Sequence, residues 1–217
     1  MKFILLLIGL MATFFTQAKI DVDFWTTDNG VRVYFVESHE LPIVDININF
    51  DAGAARDPVG KSGLANLTNY LMLLGAGQYS ENQISNLFSD IGSTLGGGID
   101  HDHAKLNIRT LSKKEAFNQT IETFKLVISE PSFDQKIFER EKKNTLSFLE
   151  QSNTQPDSLG TNAFIKALFG NHPYAFPQQG TVETIQKLER KDLVDFYNNY
   201  YSAQNASIVI VGDVNKT

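Results

Sequence analysis

Apolar and polar residues alternate most cleanly in PIVDININF, residues 42–50. Val44, Ile46, Ile48 and Phe50 fall on one side of the chain, and Asp45, Asn47 and Asn49 fall on the other. A period of two over this length predicts a strand with one buried face. WTTDNGVRVYFVES, just upstream, carries the same signal around a turn. Val31, Val33 and Phe35 alternate with Arg32 and Tyr34, and Asp28-Asn29-Gly30 can supply the positive φ angles of a tight hairpin. After DAGAARDPVGKSG the period changes. In SGLANLTNYLMLLGAG, residues 62–77, Leu64, Leu67, Leu71 and Leu74 keep helical spacing. Ser62 is the expected N-cap of that helix and Gly75 its stop.

Ser80 and Gln83 make a capping box for a second helix, with Ile84, Leu87, Phe88 and Ile91 inward and Gly92 beyond its end. STLGGGID and HAKLNIRTL read as two strands or one bent strand, with Ala104, Leu106 and Ile108 on one face. Ser112 and Glu115 predict another capping box, opening a helix that turns Phe117, Ile121, Phe124 and Ile128 inward and closes at Pro131. Asp134 is placed to cap QKIFEREKKNTLSFLEQ. A further helix precedes Gly170, and NHPYAFPQQG is a loop by its prolines and glycine. Helical segments follow at Val182–Leu188 and Arg190–Tyr200, and ASIVIVGDV reads as a final buried strand. Hairpin-like strands separated by groups of helices lack the strict βα alternation of a parallel sheet. The expected fold class is therefore α+β, an antiparallel β-sheet packed against helices on one face.

Composition narrows the function. The 217-residue chain is 42% hydrophobic and 20% charged, which suits a globular protein with a substantial core. A formal net charge of -6 without a dense basic run argues against nucleic acid, and against an anionic membrane surface, as partner. MKFILLLIGLMATFFTQA has one lysine, a short apolar run and a small-residue end, the pattern of a secretory signal peptide cleaved after Ala18. The run is shorter than the roughly 20 residues of a spanning helix. The expected organisation is a leader at 1–18 and a single domain at 19–217, exported to the periplasm or cell envelope. With no cysteine in the chain, disulfides, thiolate metal sites and a cysteine nucleophile are excluded.

The candidate chemistry is sparse. Of the histidines His39, His101, His103 and His172, the pair in HDH would point the same way if placed on a strand. That face also carries Lys105, Asn107 and Arg109, so a solvated strand face outweighs a metal site that needs three or four ligands. His172, beside Pro173, reads as a turn residue. No nucleophile elbow or phosphate-cradling loop is present. Gly96-Gly97-Gly98 precedes no helix, and marks close backbone approach along a strand or edge. FEREKK reads as the solvated side of a helix.

INFDAGAARDPVGKSGLANLTNYLMLLGAG, ISNLFSDIGSTLGGGIDHDHAKL, FEREKKNTLSFLEQ, HPYAFPQQGTVETIQKL and DLVDFYNNYYSAQNASIVIVGDV occur in this order and cover nearly all of residues 21–214. In that order the chain resembles one domain of the M16 metallopeptidases, the insulinase/pitrilysin and mitochondrial processing peptidase-like family. Active members carry an inverted zinc motif, H-x-x-E-H, on the helix after the G-L-A entry, and a further glutamate on a later helix. Aligned on Gly63-Leu64-Ala65, the first histidine is Asn66 here, the glutamate is Asn69 and the second histidine is Tyr70. The later helix keeps Glu141 of an E-x-E pattern, and Phe148 stands at the third-ligand position.

The substitutions remove the chemistry. Amide oxygens are weak neutral ligands, an amide is no general base at neutral pH, and a phenol with a pKa of about 10 ligates poorly. The resemblance thus implies a non-catalytic subunit that holds no zinc itself, paired with a zinc-bearing homologue around a shared chamber. An unfolded peptide would add as a strand along Leu95, Gly96, Gly97, Gly98, Ile99 and Asp100. Two other readings stand beside it: an active zinc peptidase with unconventional ligands such as His101 and His103, and a purely scaffolding protein. Family subunits usually hold two such domains in one chain, so the missing second domain is a further expected partner.

Overall fold

The computed structural model describes residues 21–216. The leader read at residues 1–18 lies outside the described residues.

The chain begins with a hairpin, β1 (Asp23–Thr26) and β2 (Arg32–Glu37), turned at Gly30 with φ of +92°. β3 (Ile43–Phe50) follows, then α1 (Leu64–Met72), a short ribbon of β4 (Gly75–Ala76) and β5 (Tyr79–Ser80), and α2 (Glu81–Ser89). β6 (Thr94–Ile99) and β7 (Ala104–Leu111) form a second hairpin. The helices α3 (Lys114–Ser129), α4 (Gln135–Ser152), α5 (Pro156–Phe169), α6 (Val182–Lys187) and α7 (Arg190–Tyr200) lead to β8 (Ala206–Gly212).

The main sheet has the order β1-β2-β8-β3-β7-β6. The α+β expectation holds, with one difference: β8 enters the middle of the sheet antiparallel to β3 but parallel to β2. A strand reached through a helical layer can run in either direction, whereas neighbours joined by a tight turn must be antiparallel. β8 is also only half-buried along most of its length, and Val211 is 36% exposed, because helices cover one face of the sheet.

The covered face carries Val33, Ile46, Ile48, Leu106 and Ile108, all buried in one core with Leu64, Leu67 and Leu71 of α1, Leu193 and Phe196 of α7, and Phe138 of α4. Each such side chain contributes roughly 1.5–3 kcal/mol by leaving water. The opposite face shows Phe24 against Tyr34 at 5.0 Å and a two-pronged Arg109–Asp45 ion pair at 2.7 and 2.9 Å. The alternation read in residues 42–50 therefore sorts side chains between these two faces.

Two expected caps belong to other residues. Ser62 does not cap α1; Gly63, at φ of +95°, holds the N-cap position, and the Asp57 carboxylate accepts from the backbone N–H groups of Gly63 (2.8 Å) and Ala65 (2.7 Å). A positive φ suits glycine, and here a side chain would also lie 2.6 Å from Ile185 Cδ1. Ser112 does not cap α3, because its hydroxyl donates to Asp213 across the sheet end. The capping box of Ser80 and Gln83 and the cap of Asp134 on α4 are both formed.

Candidate functional site

α1 runs beneath the sheet against α7, β6 and β7, with α4 alongside it. Its apolar stripe faces the core, and the three positions of interest divide around its circumference. Asn69 is turned inward and is 2% exposed. Its Nδ2 donates to the carbonyl of Lys105 in β7 at 3.2 Å and to the Tyr201 hydroxyl at 3.4 Å. Tyr201 is itself enclosed, and burial pushes its phenol far above the ordinary value. Asn66 is half-buried and makes no side-chain hydrogen bond within the described residues. Tyr70, one turn on from Asn66, is 47% exposed.

Tyr70 lies in an acidic neighbourhood. Partial burial, then the charges of Glu141 and Glu81, raise its phenol above the ordinary value, with Arg140 opposing them. Glu141, on α4, is 7% exposed, so FEREKK is not wholly a solvated face. Glu141 accepts from the guanidinium Nε of Arg140 and from Asn144 Nδ2 at 3.2 Å. Arg140 Nη2 also donates to Glu81 on α2 at 2.7 Å, so one guanidinium joins two carboxylates from two helices. Phe148, farther along α4, is 51% exposed.

These groups do not suit zinc. One amide is spent on a backbone carbonyl, the phenol is held protonated, Phe148 offers no donor, and Glu141 already has a resident cation. The sequence reading missed Arg140, Glu81 and Tyr201. Glu141 stands three residues after the buried Phe138, on the same helical stripe, and that spacing was the available signal for its burial.

β6 is an outer strand of the sheet, and no further strand pairs with its free side among the described residues. α1 backs it. A Cβ on Gly97 would lie 3.0 Å from Asn69 Oδ1, 3.1 Å from Leu73 Cδ1 and 3.2 Å from Leu106 Cδ2. A Cβ on Gly96 would meet the Asn107 amide at 2.9 Å, and one on Gly98 would meet nothing within 4 Å. Leu95 and Ile99 are half-buried against the core. A cleft of about 400 Å³ opens beside the start of the strand, floored by Leu73, Leu74, Ile84, Phe88 and Leu95 with Glu81 at its rim.

Asp100 lies beyond the strand, in a turn at 100–103, and so do both histidines of HDH. His101 and His103 are therefore not strand neighbours on a common face. His101 stacks on Tyr174 at 4.6 Å and shares a hydrogen bond with Gln178 at 2.9 Å, while His103 faces Asp100 at 3.5 Å. Asp100, Asp102 and His103 bring one ligand atom each within 4.8 Å of one another. Those oxygens are engaged: Asp100 accepts from the backbone of Asp102 and His103 and pairs with Lys105 at 2.9 Å, and Asp102 accepts from the Tyr174 hydroxyl at 2.6 Å. Burial tends to raise the Asp100 carboxyl, but Lys105 and those backbone donors together hold it down at about 2. His172 is a turn residue as read, capping a 3₁₀ turn at Pro173–Ala175. His39 lies apart, exposed between Glu37 and Asp213, whose hydrogen bonds raise its pKa.

Residues 32–182 match the family model described as insulinase, peptidase family M16, and residues 187–217 match the model of the peptidase M16 inactive domain. The chain belongs to peptidase family M16. It superimposes on the peptidase M16 inactive domain from Pseudomonas fluorescens with a TM-score of 0.88 and 31% identity, over 90% of this chain and 47% of that one. It is similar to the non-peptidase homolog YmxG of Helicobacter pylori, 26% identical over 95% of this chain and 46% of the relative. The periplasmic protease PqqL of Escherichia coli shares the fold, with a TM-score of 0.81 at 16% identity over 91% of this chain and 22% of that one. The chain spans about half the length of the curated relatives it matches.

Proposed function

We propose that this chain is a non-catalytic M16 subunit that holds an extended peptide along the free side of β6. The observation that carries the reading is Asn69. The motif position where an active member has its general base is a buried amide bonded to the backbone of β7. An amide so placed takes no proton from water. The unpaired edge of β6 supports the peptide part. Main-chain hydrogen bonds to Gly96, Gly97 and Gly98 would read the peptide's backbone and little of its sequence. The cleft beside Leu95 would take one side chain.

The expected partners are a zinc-bearing M16 homologue, which completes the chamber and supplies the chemistry, and a second M16 domain. The zinc belongs to that homologue, not to this chain. The place of action is the periplasm or cell envelope, in keeping with the periplasmic protease PqqL of Escherichia coli. The purified full chain should bind a fluorescent unfolded peptide, with no zinc-dependent cleavage. Affinity capture from envelope extract should bring down a homologue with an intact H-x-x-E-H. Cleavage that a chelator abolishes would overturn the non-catalytic reading. Absence of peptide binding, alone and with the captured homologue, would leave a scaffold.

A further inference from the structure

Beside the turn that follows β6, where the Ala54 N–H donates to the Asp100 carbonyl at 3.0 Å, the loop that enters α1 faces the loop that precedes α6 across a cavity of about 290 Å³. Its walls are mainly apolar, from Ala54, Pro58, Val59, Pro173 and Phe176, and among the described residues Asp57 is the only charged one lining it. The polar residues beside it are neutral: Ser62 and Thr184 are hydrogen-bonded, the Thr184 hydroxyl donating to the Ser62 carbonyl at 2.8 Å.

Asp57 has no ion-pair partner among the described residues, although cations flank it in sequence. Arg56 turns to Asp51, with Nε at 2.9 Å, and Lys61 turns to Asp192 at 2.5 Å. Asp57 is left with the backbone N–H groups at the start of α1, Gly63 on one oxygen and Ala65 on the other, with that of Leu64 beside them. A carboxylate oxygen has a second acceptor position. A mainly apolar recess whose wall holds a carboxylate that no cation pairs is complementary to a cation on an apolar stem.

We propose that this cavity is a binding site for a small primary ammonium compound, the ammonium on Asp57 and its alkyl stem against Pro58 and Phe176. Among the described residues Asp57 is the one charged residue in the lining, with the Lys166 ammonium nearby, 5.1 Å from the Phe176 ring. The site shares no residue with β6, so it stands or falls independently of peptide binding. Burial pushes the Asp57 carboxyl up to about 7, against the pull of the backbone donors, so an ammonium ligand should bind more tightly as pH rises through that value.

The test is calorimetric titration of the full chain with n-pentylammonium, and with 1-pentanol as the uncharged probe of similar shape. The ammonium should bind roughly 10- to 100-fold more tightly than the alcohol at pH 8, the range of a charge-assisted hydrogen bond. That preference should vanish in Asp57→Asn and at pH 5. Phe176→Ala, which leaves the α1 cap untouched, should weaken both probes and keep the preference. Equal affinity for the two probes in the wild type, an ammonium preference independent of pH, or no effect of Phe176→Ala would each overturn the site. The pH series is run on the wild type, so a poorly folded Asp57→Asn does not rescue the idea.

Discussion

Gly97→Ala and Gly98→Ala add one methyl group to adjacent residues of the same edge strand, and the structure separates their outcomes. Both variants gain roughly 0.5–1 kcal/mol from replacing glycine in a strand. At Gly98 the new atom meets nothing within 4 Å, so that gain should appear in full. At Gly97 it meets Asn69 Oδ1 at 3.0 Å, Leu73 Cδ1 at 3.1 Å and Leu106 Cδ2 at 3.2 Å. Leu106 is fully buried, and Asn69 is tethered to the Lys105 carbonyl, so neither can simply swing away. Overpacking of this kind costs about 1–3 kcal/mol. The two variants should therefore differ by about 1–3 kcal/mol, with Gly97→Ala the less stable. For a chain of this size that corresponds to a separation of roughly 2–12 °C in melting temperature. Urea and thermal melts in one buffer measure it. In an Asn69→Ala background the penalty at Gly97 should shrink, since one of the three neighbours is gone. Equal melting temperatures for the two single variants, or no coupling to Asn69→Ala, would refute the claim that α1 is wedged against β6 at this point.

Asn69→Glu, which restores the family's catalytic residue type, should destabilise the chain by about 3 kcal/mol, because a buried acceptor would then face the Lys105 carbonyl; urea unfolding measures it. The triple change Asn66→His, Tyr70→His and Phe148→Glu should give a folded protein that binds zinc but does not hydrolyse peptide, as seen by metal content and a cleavage assay; a folded triple variant with no zinc affinity would show that Phe148 is not the third-ligand position. Asp57, whose folded pKa of about 7 lies above the ordinary 3.8, binds its proton more tightly in the folded state. Its contribution to stability should therefore fall as pH rises from about 4 to about 7 and stay level above that, with the slope absent in Asp57→Asn urea midpoints. Asp134→Ala should cost about 1 kcal/mol in the same assay, through loss of the bonds to the backbone N–H groups of Lys136 (2.8 Å) and Ile137 (3.1 Å).

What the sequence made legible was whatever depends on neighbours in the chain. The alternation at 42–50 sorts Val44, Ile46, Ile48 and Phe50 inward because the period of a strand is local. The cap of Asp134 is local too. The misread caps are instructive. Ser62 and Ser112 have the right residue type, yet a carboxylate from outside the helix and a partner across the sheet take precedence. Asp57 is only six residues from Gly63 but across an irregular loop, and Asp213 is 101 residues from Ser112. The same holds for β8, whose insertion between β2 and β3 is decided by the helical layer that precedes it. At the candidate site, the family resemblance pointed to Asn66, Asn69 and Tyr70. That Asn69 faces inward while Tyr70 faces solvent required the position of β7, and the turn at 100–103 that separates His101 from His103 required the register of β6 on β7.

The altered motif is not merely a site with its ligands deleted. In an active family member a metal ties the first helix of the motif to the later helix through side chains of both. In this chain two other connections pass through the same region. Asn69 ties α1 to the β7 backbone and, through Tyr201, to the end of α7. Arg140 ties α2 to α4 by holding Glu81 and Glu141 at once, beside Tyr70. The Asn69 link is neutral, and in the second Arg140 offsets one of the two carboxylates it bonds. Glu141 is the informative member. A carboxylate only 7% exposed is costly alone, and its neighbour on the same helix, Arg140, removes that cost. The consequence is a helix tied to its neighbours behind β6. An edge strand held from behind loses little entropy when a peptide pairs with it, so the peptide binding proposed for β6 would not depend on the lost chemistry.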